Sequence, residues 1–134
     1  MSKSALILFA HGARAATWAA PFERLCALTQ ARLPQVSVAL AFLELMEPRL
    51  PALVADLAAA GVVEIAVVPV FLGQGGHVLR DLPLMVEQLR RDHPQLAITV
   101  AQAAGENAAV LDALADYCVG SIGGAASVDP IGRG

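Results

Sequence analysis

The chain has 134 residues, 57% of them hydrophobic and only 16% charged, with a formal net charge of -3. Its length suits one domain with a real core, and its high hydrophobicity excludes a disordered chain. The basic excess of a general nucleic-acid binder is absent, and so is the uninterrupted apolar run of about 18 residues that a membrane span needs. In chain order, Ala5 to Ala10 is a continuous apolar run and reads as a strand buried on both faces. Thr17 to Leu33 reads as a helix with Phe22, Leu25, Leu28 and Leu33 as its apolar stripe and Pro34 as its stop. Val36 to Phe42 is a second strand. Pro48 suits the first turn of a helix running through Leu53, Val54 and Leu57 to Gly61, a natural residue just past a helix end. Val62 to Val70 is the third strand and Phe71 to His77 a Gly-rich loop. Pro83 to Arg91 reads as helix, Leu96 to Ala101 as a fourth strand, and Asn107 to Val119 as a last helix with Ala108, Leu111, Leu114 and Ala115 on its apolar side.

Four β-α units with non-alternating apolar strands predict an α/β three-layer sandwich around a four-stranded parallel sheet. Residues 1–119 form one domain, and the Gly-, Ser- and Ala-rich segment 120–134 reads as a flexible tail. The shortage of charge predicts that some apolar surface lies in an oligomer interface or a ligand cleft. Two cysteines far apart in sequence, Cys26 and Cys118, argue against a disulfide framework and for a reducing cytoplasm. The apolar run before His11 is too short for the core of a signal peptide.

In open α/β sheets the cleft lies beyond the carboxyl ends of the strands. Three loops sit there: His11-Gly12-Ala13-Arg14, the stretch holding Glu44 and Glu47, and Gly73-Gln74-Gly75-Gly76-His77. His11, Glu44 and His77 each fall just past a strand. Two imidazoles and a carboxylate can hold a divalent metal, and the same groups take up protons near neutral pH. Each also has a plainer reading as a helix cap or a turn residue. Glu47 is assigned that plainer role, as a carboxylate near a helix N-terminus, and His93 reads as a helix-end residue away from the cleft. Arg14, Arg49 and Arg80 are candidates to meet an anionic ligand at the rim. The P-loop ending, the GxGxxG fingerprint and the GxSxG elbow are all missing. The spacing of His11 and Arg14 is similar to a phosphohistidine arrangement, which keeps a phosphoryl-transfer enzyme open.

The stretches ILFAHGAR at 7–14, AFLELMEP at 41–48 and VVPVFLGQGGHVLRDLP at 67–83 resemble the small CbiX form of the class II chelatases, the sirohydrochlorin cobaltochelatases and ferrochelatases that include the SirB type. The resemblance runs over about residues 4–118, with Gly105-Glu106 fitting the start of the last helix. It implies a chelatase-like fold equal to half of the longer two-domain enzymes, a homodimer with the cleft between protomers, and a place in cobalamin or siroheme biosynthesis. It also implies His11 and His77 as the metal-holding and catalytic pair, with Glu44 as their carboxylate. The family usually has Ser where this chain has Ala13, and Asp-Pro soon after Arg14, where Ala15-Ala16-Thr17-Trp18 stands here.

On that reading the protein inserts Co2+, Fe2+ or Ni2+ into sirohydrochlorin or a related tetrapyrrole and needs no cofactor beyond the substrate metal. Imidazole suits these ions, and a small ligand set leaves positions open for the macrocycle nitrogens. Arg14, Arg49 and Arg80 would meet the carboxylates of the ring, and Leu43, Phe71 and Leu72 would cover its face. A non-catalytic metal- or tetrapyrrole-binding protein is the second reading, and the phosphoryl-transfer enzyme the third. Neither nucleic acid nor membrane is expected as a partner.

Overall fold

A computed structural model describes residues 3–122 of the chain. The flexible tail expected over 120–134 lies outside the described residues from position 123 onward, and positions 120–122 close the last helix and its turn.

Strands β1 (Lys3–Ala10), β2 (Ser37–Phe42), β3 (Val62–Pro69) and β4 (Ala97–Val100) form one sheet in the order β2-β1-β3-β4. All three pairings are parallel, with Leu8 facing Leu40 on one side and Val68 on the other. Four helices connect and follow them: α1 (Ala20–Arg32), α2 (Leu50–Ala59), α3 (Gly76–Asp92) and α4 (Ala108–Gly120). This is the α/β sandwich expected from the apolar runs. β1 and β3 adjoin at the centre, but their following loops lead to opposite sides, so the sheet has its topological switch point between them.

The two faces of the sheet differ. Side chains alternate along a strand, and Ala5, Ile7 and Phe9 of β1 face the same way as Ile65 and Val67 of β3. On that side Leu50 and Val54 of α2 and Val78, Leu82, Val86 and Leu89 of α3 complete a buried cluster. The other side is only partly covered, although Leu8, Ala10 and Phe42 are buried there. Leu6, Leu8, Val68 and Val70 form the floor of an apolar groove of about 770 Å³, walled by Phe22 and Leu25 of α1 and Val110 of α4. No residue of α1 or α4 is buried. The stripe expected on α1 is therefore not sealed: Leu25 and Leu28 are exposed.

Three prolines shift the helix boundaries. Pro21 occupies the first turn of α1, where its missing N–H costs nothing, and the residues before it form a separate short 3-10 helix, Ala16–Ala19. The expected helix Thr17–Leu33 is thus two elements. Pro48 lies before α2 rather than within its first turn; its peptide with Glu47 is cis, and Pro51 takes the first-turn position. Pro83 was expected to open a helix but sits inside α3, which begins at Gly76. It lies on the exposed side, as does Leu79 whose carbonyl it cannot bond, while Leu82 and Val86 stay buried. The segment Phe71 to His77 is accordingly loop only as far as Gly75. Gly61, at φ 94, ends α2 as its sequence position implied, and Asn107 caps α4 by accepting from the Val110 N–H at 3.2 Å.

Pairing continues past the strand ends and fixes the loops. The Leu43 N–H donates to the Ala10 carbonyl and the Val70 N–H to the Phe9 carbonyl, each at 2.8 Å. A short 3-10 turn, Ala104–Glu106, pins the loop after β3: the Gly105 N–H donates to the Phe71 carbonyl at 3.1 Å, and Gly105 packs directly on the Leu72 carbonyl. A Cβ at position 105 would overlap that carbonyl oxygen. Replacing Gly105→Ala should therefore cost about 1–3 kcal/mol, read as a lower urea midpoint at constant slope. An unchanged midpoint would show that the two backbones are not in this contact.

Candidate functional site

The carboxyl ends of β1, β2 and β3 bring His11, Glu44 and Phe71 together at the switch point. His11 directly follows β1. Its ring lies against that of Phe71, with centroids 4.7 Å apart and planes tilted by 40°. Phe71 is buried and in turn meets Phe9 edge-on at 6.3 Å, so the imidazole rests on the end of the core. Glu44 is its second neighbour: Nδ1 and Oε2 are 4.0 Å apart, beyond hydrogen-bond reach, with both side chains a little over one-third exposed.

Glu44 is held by its own backbone. Leu45 has a φ of 69°, and the Met46 N–H donates to the Glu44 carbonyl at 2.8 Å, which makes Leu45 the centre of a tight γ-turn. The left-handed conformation is unfavourable for leucine and is kept because the neighbours on both sides are fixed. The turn aims the Glu44 carboxylate at β1, where Oε2 accepts the Gly12 N–H at 2.9 Å. Gly12 itself packs on the Glu44 carbonyl so closely that no side chain fits there.

His77 is the second residue of α3, past the Gly-rich loop of β3, but its side chain is outside the described set. Among the described residues no three His, Cys, Asp or Glu side chains converge closely enough to cage a metal. His11 and Glu44 are the two described donors at the site. The cysteines stand apart from it. Cys26 is on α1, where burial pushes its thiol up, and Cys118 is exposed on α4.

The rim residues differ in setting. Arg14 is exposed on the loop after His11. Arg49 immediately precedes α2, with Nε 3.9 Å from the Glu47 carboxylate. Glu47 is therefore an exposed partner of Arg49 outside the helix. Arg80 is exposed on α3, with Nε 3.9 Å from Asp81. Leu72 is exposed, Leu43 is half-buried against the core, and Phe71 lies beneath the imidazole. His93 caps the end of α3 just before β4, at the end of the sheet away from the cleft, as expected.

Sequence reasoning missed Trp18. Its indole Nε1 donates to the His11 carbonyl at 2.7 Å, and its ring meets Phe22 at 5.6 Å. The one available signal was an aromatic donor seven residues after a strand-end histidine, in a loop otherwise dominated by alanine.

The family model for CbiX matches residues 5–118, and the chain belongs to that family. It is 35% identical over 82 residues to the sirohydrochlorin cobaltochelatase of Methanopyrus kandleri, an alignment covering 61% of this chain and 57% of the relative. It is 46% identical over 48 residues to the sirohydrochlorin cobaltochelatase of Methanosarcina acetivorans, covering 36% and 37%. The alignments thus span little more than half of one curated relative and about a third of the other. A crystal structure of a CbiX protein from Marinobacter aquaeolei superposes with a TM-score of 0.76 at 35% identity, over 86% of this chain and 93% of that one. SirB from Bacillus subtilis subspecies spizizenii, a sirohydrochlorin chelatase solved with cobalt, shares the fold with a TM-score of 0.74 at 23% identity, over 87% of this chain and 50% of that one.

The Glu44 carboxylate carries a structural bond whatever its chemistry. Glu44→Ala leaves the Gly12 N–H without its acceptor and should lower stability by about 1–2 kcal/mol, whereas Glu44→Gln keeps an acceptor oxygen and should stay within about 1 kcal/mol of the parent. Urea titration with amide exchange at Gly12 measures both; equal behaviour of the two variants would remove the bond from the account.

Proposed function

We propose that this member of the CbiX family inserts a divalent metal into sirohydrochlorin or a closely related tetrapyrrole. The observation that carries the reading is the His11–Glu44 pair at the switch point of a CbiX-type sheet, half-open to solvent and backed by Phe71. Insertion replaces two pyrrole N–H protons with one M2+, so the site must offer the ion temporary donors and give the protons somewhere to go. His11 and His77 hold the incoming ion. Glu44 adds a carboxylate oxygen or takes up a released proton through Oε1, since Oε2 serves the Gly12 amide. Too few protein donors to saturate the ion leave coordination positions for the ring nitrogens. Arg14, Arg49 and Arg80 meet the carboxylates of the macrocycle, while the exposed Leu72 covers its edge.

Cobalt is the preferred substrate ion on this reading, supported by the names of the two archaeal relatives. Fe2+ and Ni2+ remain the comparison ions. The place in metabolism is cobalamin formation, with siroheme formation as the counterpart if iron is favoured. The cytoplasm is the assigned compartment, supported by two cysteines that are both free thiols; no described helix is long and apolar enough to cross a membrane.

The working unit is a homodimer of single-domain subunits. Apart from Asp112 and Asp116, α4 is apolar or small all the way round, and such a helix is ordinarily buried. Here Leu111, Leu114 and Tyr117 are exposed beside the apolar groove on the open sheet face. A helix needing cover and a groove needing filling on one chain are complementary surfaces. Two copies related by a two-fold axis satisfy both.

Anaerobic incubation of sirohydrochlorin with Co2+, Fe2+ or Ni2+, followed by absorbance, tests the activity. The expected result is accelerated insertion, fastest with Co2+, and a loss of about 100-fold or more in His11→Ala with the fold intact by circular dichroism. Binding of both substrates without turnover would replace the enzyme with a carrier. Light scattering should give twice the 13.9 kDa subunit mass, and Leu114→Glu should shift the protein to monomer; a monomeric parent would sink the dimer.

A further inference from the structure

Glu44 and Trp18 bond to the same peptide group. The Gly12 N–H donates to Glu44 Oε2 at 2.9 Å, and the His11 carbonyl accepts the Trp18 Nε1–H at 2.7 Å. The carbonyl of residue 11 and the amide of residue 12 are the two polar ends of one planar unit and point in opposite directions across it. One side chain comes from the loop after β2 and the other from the 3-10 turn before α1. Together they set the plane from which the His11 Cα and its imidazole hang.

We propose that Trp18 is a positioning residue for His11, acting as the second jaw of a clamp whose first jaw is Glu44. The inference rests on the chelatase reading for its kinetic consequence and on geometry alone for the clamp. Three observations support it. The other loop residues from Ala13 to Ala20 are alanines apart from exposed Arg14 and Thr17. The indole also meets Phe22, ring to ring at 5.6 Å and a 49° tilt, and Phe22 is half-buried in the groove wall. The remaining freedom of His11 is rotation of its side chain, which the Phe71 ring limits from one side at 4.7 Å. Rotation of the clamped peptide would swing the imidazole off Phe71 and away from Glu44. A reacting group displaced by about 1 Å can lose about 100-fold in rate.

The chain has a single tryptophan, so biosynthetic replacement of tryptophan by benzothienylalanine removes one N–H and keeps the ring shape at this position alone. That protein and Trp18→Phe are compared with the parent by Gly12 amide exchange, His11 imidazole chemical shifts, thermal melting, and steady-state insertion of Co2+ into sirohydrochlorin. The expected result is faster Gly12 exchange, displaced His11 shifts, and kcat lowered about tenfold with little change in KM, at a melting temperature within a few degrees of the parent. If Trp18→Phe fails to fold, the benzothienylalanine protein decides. Unchanged exchange and shifts in that protein overturn the clamp, and so does an unchanged kcat when exchange has risen. If the parent itself inserts no metal, the chelatase reading fails, and the clamp is judged on Gly12 exchange and His11 shifts alone.

Discussion

The site depends on one close approach, that of Gly12 against the backbone of Glu44. No side chain can stand at position 12 without meeting the Glu44 carbonyl, so the end of β1 and the loop after β2 are in backbone contact just where the sheet stops. The contact puts the Glu44 carboxylate within reach of the Gly12 amide, and the γ-turn at Leu45 follows from the need to reverse the chain there. The turn is unfavourable for leucine, and the pairing of Leu43 with Ala10 and of Phe42 with Pro48 on either side holds it. A second contact of the same kind, Gly105 on Leu72, fixes the opposite wall and with it Phe71. His11 is thus held between two loops, each pinned to its neighbour by a glycine.

The same sheet explains the hydrophobic surplus of the composition. Because side chains alternate, β1 offers Ile7 and Phe9 to one side and Leu6 and Leu8 to the other. The first side receives α2 and α3, whose apolar residues recur at three- and four-residue steps and close over it. The second side receives only the flank of α1 and the first turn of α4, so the apolar floor is partly open although Leu8 is buried. A parallel sheet with one apolar face only partly covered leaves apolar surface that burial would stabilise. Exposed apolar surface therefore includes that face and α4, with more on α3 at Leu79 and Leu84.

The strands were legible because parallel strands buried on both sides leave unbroken apolar runs, and Ala5 to Ala10 needs no other signal. Gly61 was legible because a left-handed residue after a helix is a local requirement, whereas Asn107, read as the first helical residue, is the cap just before it. The prolines were harder. Pro21, Pro48 and Pro83 look alike as helix punctuation, and only the tertiary face decides which begins a helix, which precedes one and which sits harmlessly on the outside of one. That His11 and Glu44 meet was legible through the rule that the carboxyl ends of neighbouring strands face one cleft. Trp18 was not, because its importance is a bond to a backbone carbonyl, and a carbonyl has no letter in the sequence. The failure of α1 to bury Leu25 and Leu28 has a similar origin: periodicity reports that a face wants cover without saying from which chain the cover comes.

The rigidity of the backbone and the openness of the donors have to be taken together. A protein that keeps its metal surrounds it with enough ligands to complete its coordination, whereas one that passes the metal on must stop short of that. Here the described donors are an imidazole and a carboxylate, both partly exposed, and one carboxylate oxygen is already engaged by an amide. Few donors alone would give a site with poor geometry, because each weak contact would be free to wander. Fixing the His11–Gly12 peptide from both edges and seating the imidazole on Phe71 removes that freedom without adding a ligand. On the proposed reading, orientation would come from groups outside the ligand set, so affinity for the ion could stay low while the direction of transfer stayed defined.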